Sequence, residues 1–291
     1  MYHGIMNVYK EPGYTSHDVV ARLRGILKQK KIGHTGTLDP AAEGVLPVCL
    51  GMGTRLCDML TDRTKTYEDR HHAAMGLEEA AVTEAVLGYK GDYDQIPPMY
   101  SALKVDGKKL YELARAGKEV ERQARQVQIL EIRVDKVELP RVWMTVTCSK
   151  GTYIRTLCHD IGGKLGCGGC MEHLTRTRVD RFDIKDSLRL DEIERIRDEG
   201  GLDTCILPVE TALEGYAGLK VLPEADAFLY NGNPCFKGQL DAGDGCLDGL
   251  EDGLRFRMYD SKGHFVGVYE YQDSRHWWKP WKMFLAAPEH T

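Results

Sequence analysis

The chain has 291 residues, of which 42% are hydrophobic and 29% charged. That balance fits a soluble globular protein with one or two cores, and no apolar run reaches the roughly 18 residues that a membrane span needs. A net charge of −5 argues against a nonspecific polyanion binder and leaves any nucleic-acid contact to a local basic face. Nine cysteines without regular spacing suit reduced thiols better than a disulfide framework. Met1–Tyr9 lacks the apolar core of a signal peptide, so the cytoplasm is the expected setting.

Gly4–Tyr9 predicts a strand, and Glu11-Pro12-Gly13 a turn. Ser16 is a candidate N-cap for a helix over His17–Gln29, with Val19, Val20, Leu23, Ile26 and Leu27 as its apolar stripe. The stretch 31–51, KIGHTGTLDPAAEGVLPVCLG, comes next. Gly33 and Gly36 allow backbone angles that other residues resist, and Asp39 is pushed towards extended geometry by Pro40. Val45–Leu50 predicts a short strand, which Pro47 marks as an edge or a bulge. Asp39 therefore stands on a stiffened loop among the hydrogen-bonding groups of His34, Thr35 and Thr37. On spacing alone Asp39 reads more readily as a helix N-cap with proline at N1.

Thr54–Leu60 predicts a short helix, after which TDRTKTYE carries Tyr67 into a strand. His71 and His72 are expected to interrupt that strand, and Glu78–Leu87 predicts a helix. Neighbouring histidines point apart on a helix or a strand, so this pair does not by itself suggest a metal site. Pro97-Pro98 predicts an extended lead-in to a helix over Lys108–Ala116. Lys104, Lys108, Lys109, Arg115, Lys118, Arg122 and Arg125 supply local positive charge. Interleaving with Glu112, Glu119 and Glu121 leaves both phosphate contact and a solvated face open.

Val127–Val137 and Val142–Cys148 alternate as strands. Tyr153–Lys164 predicts a helix with Ile154, Leu157 and Ile161 inward, weakened near its end by Gly162-Gly163. Cys158, His159, Cys167, Cys170 and His173 could imitate zinc ligation, but no second well-spaced pair accompanies them and no metal is expected. Arg176 and Arg178 alternate along a strand and should share a face. Asp191–Asp198 predicts a charged helix. From Leu219 the pattern changes to short strands and turns, with hairpin signals at Asn231-Gly232 and Lys262-Gly263. Trp277, Trp278 and Trp281 read as core, or as packing against the larger part of the chain.

Four segments, in this order, carry a resemblance: the K-E-P-G at Lys10, GHTGTLDPAAEGVLPVCLG, QIPPMYSALK, and CSKGTYIRTL followed by LTRTR. Together they resemble the TruB family of tRNA pseudouridine synthases across nearly all of residues 4–212. The resemblance implies an α+β fold: a mixed, mostly antiparallel sheet flanked by helices, plus a small C-terminal β barrel. It implies a catalytic domain over 1–212, with an RNA-gripping insertion at 98–125, and a PUA-like domain over 218–285. The implied reaction is isomerisation of the T-loop uridine of tRNA, conventionally position 55, with the base flipped out of its stack.

By the same resemblance Asp39 is the catalytic carboxylate at the ribose, Tyr67 stacks on the uracil and is available to take a proton, and Arg176 pairs with Asp39 and favours its charged form. His34 fills the space left by the flipped base, Lys104, Lys108, Lys109 and Arg155 contact RNA, and Lys10 has either a structural role or a phosphate contact. The isomerisation gains no atoms or electrons, so no cofactor is expected. The T-arm of tRNA is the expected partner of a monomer that needs no other protein. One stretch departs from the pattern. The family runs from this tyrosine through a strand, an acidic turn and another strand, where this chain has DRHHAAMGLEEAA. A piece of the central sheet is therefore expected to be missing, which keeps a noncatalytic tRNA-binding or folding protein as the alternative.

Overall fold

The computed structural model describes residues 1–73, 77–105, 107–241, 247 and 249–285, with the side chains of 72 and 73 excepted. In chain order the first elements are β1 (Gly4–Lys10), α1 (Ser16–Leu27), β2 (Ile32–His34), β3 (Glu43–Leu50), α2 (Cys57–Thr61) and β4 (Lys65–Ala73). Next come α3 (Glu79–Leu87), β5 (Gly91–Gln95), β6 (Lys104–Val105), β7 (Lys108–Lys109) and α4 (Leu110–Arg115). The larger part ends with β8 (Arg125–Glu138), β9 (Arg141–Cys148), α5 (Ile154–Lys164), β10 (Gly169–Val179), β11 (Phe182–Asp183) and α6 (Leu190–Asp198). The smaller part holds β12 (Ala217–Lys220), α7 (Asp226–Tyr230), β13 (Cys235–Phe236), β14 (Arg255–Tyr259), β15 (Phe265–Gln272) and β16 (Trp277–Met283).

Nine strands make the larger sheet, in the order β1-β3-β10-β4-β9-β8-β5, with β2 added to β3 and β11 to β10. Every pairing is antiparallel except β3 with β10. The apolar run of β3 follows from burial on both faces. Leu46, Val48 and Leu50 point with Met6 and Val8 into a core closed by α1 and α6, while Val45 and Cys49 point with Ile5 into the opposite core. Further along, Tyr67, Met144 and Val146 pack against Ile154, Leu157 and Ile161 of α5 and Val86 of α3. The expected α+β architecture is therefore present.

Several local expectations change. Thr15, not Ser16, caps α1: its Oγ1 accepts from Asp18 N at 3.0 Å and its own N–H donates to Asp18 Oδ2 at 2.8 Å. No helix follows Pro40, since Ala42 N instead donates back to Asp39 O at 3.1 Å. Pro47 is not on an edge strand. It lies opposite Asn7 where the other side of β3 passes from β10, which pairs to Gly44, to β2, which begins at Val48. A missing N–H is harmless in that gap. Gly33 lies in β2 and needs no special angle; Gly36, at φ 158°, does, and so does Gly44, at φ 105°, where a Cβ would stand 2.3 Å from Arg176 O. Gly162 does not merely weaken α5: a Cβ there would meet the backbone of Gly168 at 2.2 Å, so the glycine lets helix and chain touch.

The strand after Tyr67 is not broken. Lys65–Ala73 is one continuous strand, paired to β9 as far as His72 and to β10 as far as Ala73. The expected shortfall appears elsewhere. Among the described residues, β5 covers β8 only from Arg125 to Ile129, and β8 beyond Leu130 has β9 alone as a ladder partner. The predicted Lys108–Ala116 helix also starts later: Lys108 and Lys109 pair with Val105 and Lys104 in a two-stranded hairpin, and α4 begins at Leu110. Arg176 and Arg178 do not share a face. The register slips between them, leaving Arg176 buried and Arg178 exposed.

The smaller sheet runs β12-β14-β15-β16-β13 and curls into half a barrel. Lys262-Gly263 lies between β14 and β15 as predicted, whereas Asn231-Gly232 ends α7 rather than turning a hairpin. Trp278 is core. Val268 and Phe284 join Val45, Cys49, Leu56 and Leu60 in one apolar cluster, so the two sheets share a core.

Candidate active site

The loop from Thr35 to Ala42 connects β2 to β3, and its backbone is fastened at each step. Leu38 N donates to Ser16 Oγ at 2.9 Å, which explains why a serine lies buried one residue inside α1. Lys10, fully buried at the end of β1, donates from Nζ to the carbonyls of Glu11, Pro40 and Ala42. Arg176, 1% exposed, donates from Nε to Val45 O at 2.7 Å, and its two terminal nitrogens reach Gly36 O at 3.3 Å and Thr37 O at 3.5 Å. Thus two buried cations hold carbonyls on both sides of Asp39. Each such charge-assisted bond is stronger than a neutral one.

Asp39 itself is gripped from α5. Arg155 Nε lies 2.6 Å from Oδ2 and Nη2 lies 3.2 Å from Oδ1, a two-pronged contact with a half-exposed carboxylate. Arg155 is steadied by Tyr100 O at 3.0 Å. The first turn of α5 is held by Gln95, which accepts from Tyr153 N at 2.7 Å and donates to Tyr153 O at 3.0 Å. The QIPPMYS segment therefore reaches Asp39 through Arg155.

Tyr67 on β4 faces Arg176 across the β4–β10 pairing and packs in one cluster with Leu38 and Ala42. Burial raises its phenol above the ordinary value, against the opposing charge of Arg176, so it stays protonated at neutral pH. His34 ends β2, half-buried, and its Nδ1 accepts from Gly36 N at 3.3 Å. Burial first, then Arg176 and His17, lowers its pKa and favours the neutral imidazole. Lys65, which the sequence reading did not single out, lies buried beside this group, with Nζ on Thr61 O and Arg63 O. Desolvation and then Arg176 push Lys65 down to about 8, and the same two causes bring Lys10 to about 8.

The expected site thus comes together with its roles redistributed. Arg176 does not pair with Asp39; it ties the loop on which Asp39 stands. Arg155, expected on RNA, is the arginine on the carboxylate. Lys10 is a buried brace rather than a phosphate contact, because its ammonium is used up on three carbonyls. Lys104, Lys108 and Lys109 stand on the β6–β7 hairpin with the first two exposed, and Lys109 lies 5.4 Å from the Tyr111 ring centre. Ser16, Lys65 and Gln95 were missed. Only Gln95 carried a signal, its place at the head of the QIPP segment.

The family model for the N-terminal domain of TruB family pseudouridylate synthases matches residues 24–75 and 68–154, and that for the C-terminal domain of tRNA pseudouridylate synthase B matches 155–214. The chain belongs to the TruB family. The tRNA pseudouridine synthase B of Lachnoclostridium phytofermentans is 48% identical, over 97% of this chain and 100% of the relative. That of Clostridium acetobutylicum is 38% identical, over 91% and 94%. Among solved structures, a chain of an H/ACA ribonucleoprotein bound to a substrate RNA containing 2′-deoxyuridine superposes with a TM-score of 0.77 at 25% identity, covering 98% of this chain and 86% of that one. The two family-model matches end before β12 and so describe the larger sheet and its helices, whereas the relatives extend over the smaller sheet as well.

Proposed function

We propose that this TruB-family enzyme isomerises the T-loop uridine of tRNA, conventionally position 55, to pseudouridine, with Asp39 as the working carboxylate. The observation that carries the proposal is the fork of Arg155 on Asp39, on a loop braced by Lys10, Ser16 and Arg176. In the reaction the N1–C1′ bond breaks, the uracil turns, and C5 bonds to C1′. The proton on C5 leaves and N1 gains one, so atoms and electrons balance without a cofactor. The target base must leave its stack to reach Asp39. The wall it meets is Tyr67, which as a buried phenol offers its ring face and a proton to donate rather than a phenolate base. Asp39 acts at the ribose, and Arg155 fixes its direction, which is where small displacements lower a rate most.

The hairpin lysines Lys104, Lys108 and Lys109 suit the phosphates of the T-arm, and the C-terminal half-barrel suits a PUA-like RNA contact. The cytoplasm is the proposed setting. Among the described residues no helix is long and apolar enough to cross a membrane. The noncatalytic alternative rested on a piece of the central sheet missing after Tyr67; β4 itself is whole, and the shortfall falls on β8, which carries none of the proposed site residues. The test is incubation of the purified chain with an unmodified T-arm hairpin, followed by mapping of pseudouridine. Conversion of the loop uridine by wild type and none by Asp39→Asn is the expected result; no conversion by wild type overturns the proposal.

A further inference from the structure

Behind Tyr67, the same strand and helix meet a second time. Asp69 and His71 follow Tyr67 at alternate positions of β4, and Cys158 follows Arg155 one turn along α5. All three are buried, at 3%, 0% and 0% exposure. One ligand atom from each lies within 4.8 Å of the other two. Cys158 Sγ donates to Asp69 Oδ2 at 3.1 Å, and His71 Nδ1 stands 3.6 Å from the same oxygen, beyond hydrogen-bond length.

These groups are poorly satisfied as they stand. Both ring nitrogens of His71 and Oδ1 of Asp69 have no hydrogen-bond partner. Buried polar atoms without partners are rare in native proteins and call for a reason. The donor set is chemically selective. A carboxylate oxygen, an imidazole nitrogen and a thiolate sulfur together suit a borderline-soft divalent ion, and a tetrahedral zinc centre places its ligand atoms about 3.3–3.8 Å apart. The two measured separations from Asp69 Oδ2, 3.1 and 3.6 Å, are already near that spacing.

We propose that Asp69, His71 and Cys158 form a three-ligand zinc site that fastens β4 to α5, with the fourth position left to water. Binding displaces the Cys158 thiol proton to solvent. The ion's two positive charges then meet one carboxylate and one thiolate, leaving the buried cluster neutral beside a neutral imidazole. The sequence placed His71 and Cys158 in two separate candidate groups with no metal expected at either, and gave no sign that Asp69 joins them. Its members lie 89 residues apart in sequence at the widest, counting from Asp69 to Cys158. The ion would join the strand carrying Tyr67 to the helix carrying Arg155.

The experiment expresses the full chain in zinc-supplemented medium, desalts it, and measures bound zinc by mass spectrometry. One zinc per chain is expected for wild type and for Cys170→Ser, and loss of it for Cys158→Ser. Zinc at a hundredfold excess over Kd should raise the Tm of the metal-stripped wild type by about 4 °C. Cobalt in place of zinc should give a tetrahedral spectrum with a sulfur-to-metal band that Cys158→Ser abolishes. The double variant Asp69→Val with His71→Val guards against misfolding as an explanation: it should melt higher than metal-stripped wild type and show no response to zinc. Wild type that holds no zinc and shows no zinc-dependent Tm overturns the proposal, as does a cobalt–sulfur band that survives Cys158→Ser.

Discussion

Asp39 and Asp69 are two carboxylates served by the same helix, and they have opposite fates. Asp39 is half-exposed and faces the two prongs of Arg155. Asp69 lies one turn deeper, where burial raises its pKa against the pull of His71 and Cys158, and one of its oxygens has no partner. A carboxylate aimed at a substrate needs a fixed direction and access, and a planar guanidinium supplies the first without removing the second. A carboxylate walled in by strand and helix gains nothing from being charged unless something positive joins it. On the proposed function and the proposed zinc site, the contrast separates a working carboxylate from a supporting one, both reached from α5.

The comparison can be broken most severely at its working end. Asp39→Asn should lower single-turnover pseudouridine formation by about 10³-fold or more while T-arm affinity stays within about threefold, since the amide keeps the shape and loses the charge. Rate and fluorescence-anisotropy titrations on one preparation check both halves. Next come the two arginines, which the structure assigns to different tasks. Arg155→Lys should lower the rate by roughly 10²-fold with little change in Tm, because lysine cannot reproduce the fork. Arg176→Lys should cost about 3 kcal/mol of stability as well as rate, because the carbonyls of Gly36, Thr37 and Val45 lose donors in a buried place. Denaturant melts alongside single-turnover rates separate the two; equal Tm losses would erase the distinction.

Smaller effects sharpen it. Lys108→Glu with Lys109→Glu should weaken T-arm binding and reduce the slope of log affinity against log salt by about 1–2, while Asp39-dependent chemistry at saturating RNA is kept. An unchanged slope would make the hairpin a solvated face. Ser16→Ala removes the acceptor for Leu38 N and should destabilise by about 1 kcal/mol, read by denaturant melts.

Much of this was legible in the chain. The period of α1 and the alternation in β9 read correctly, because each is a local pattern set by burial, whereas β3 was recognised as a strand but taken for an edge or a bulge because of Pro47. Asp39, Tyr67 and Arg176 were picked out by motif, and they do converge. What failed had non-local causes. His71 looked like a strand breaker because a polar residue on a buried face contradicts the usual alternation, yet both neighbouring strands pair with it. Arg178 was placed beside Arg176 because a bulge is silent in sequence. The grip of Arg155 on Asp39 spans 116 residues, and no spacing rule reaches that far. Thr15 took the cap from Ser16 because Ser16 was needed at Leu38.

The order of strands has a consequence for how the chain is made. β10 lies between β3 and β4, yet it is synthesised more than a hundred residues after β3. Until residues 169–179 leave the ribosome, the β1–β3–β2 group and the β4-β9-β8-β5 group are separate pieces, the second with a bare edge along β4 and the first bare at the Glu43–Gly44 end of β3. Such edges are templates for wrong pairing, and contacts this distant form slowly. The same insertion delivers Arg176 to the Asp39 loop, so strand closure and loop fastening are a single late event. A nascent or truncated chain that stops before β10 would depend on holding factors to stay soluble, and would carry Asp39 on a loop without the Arg176 tether.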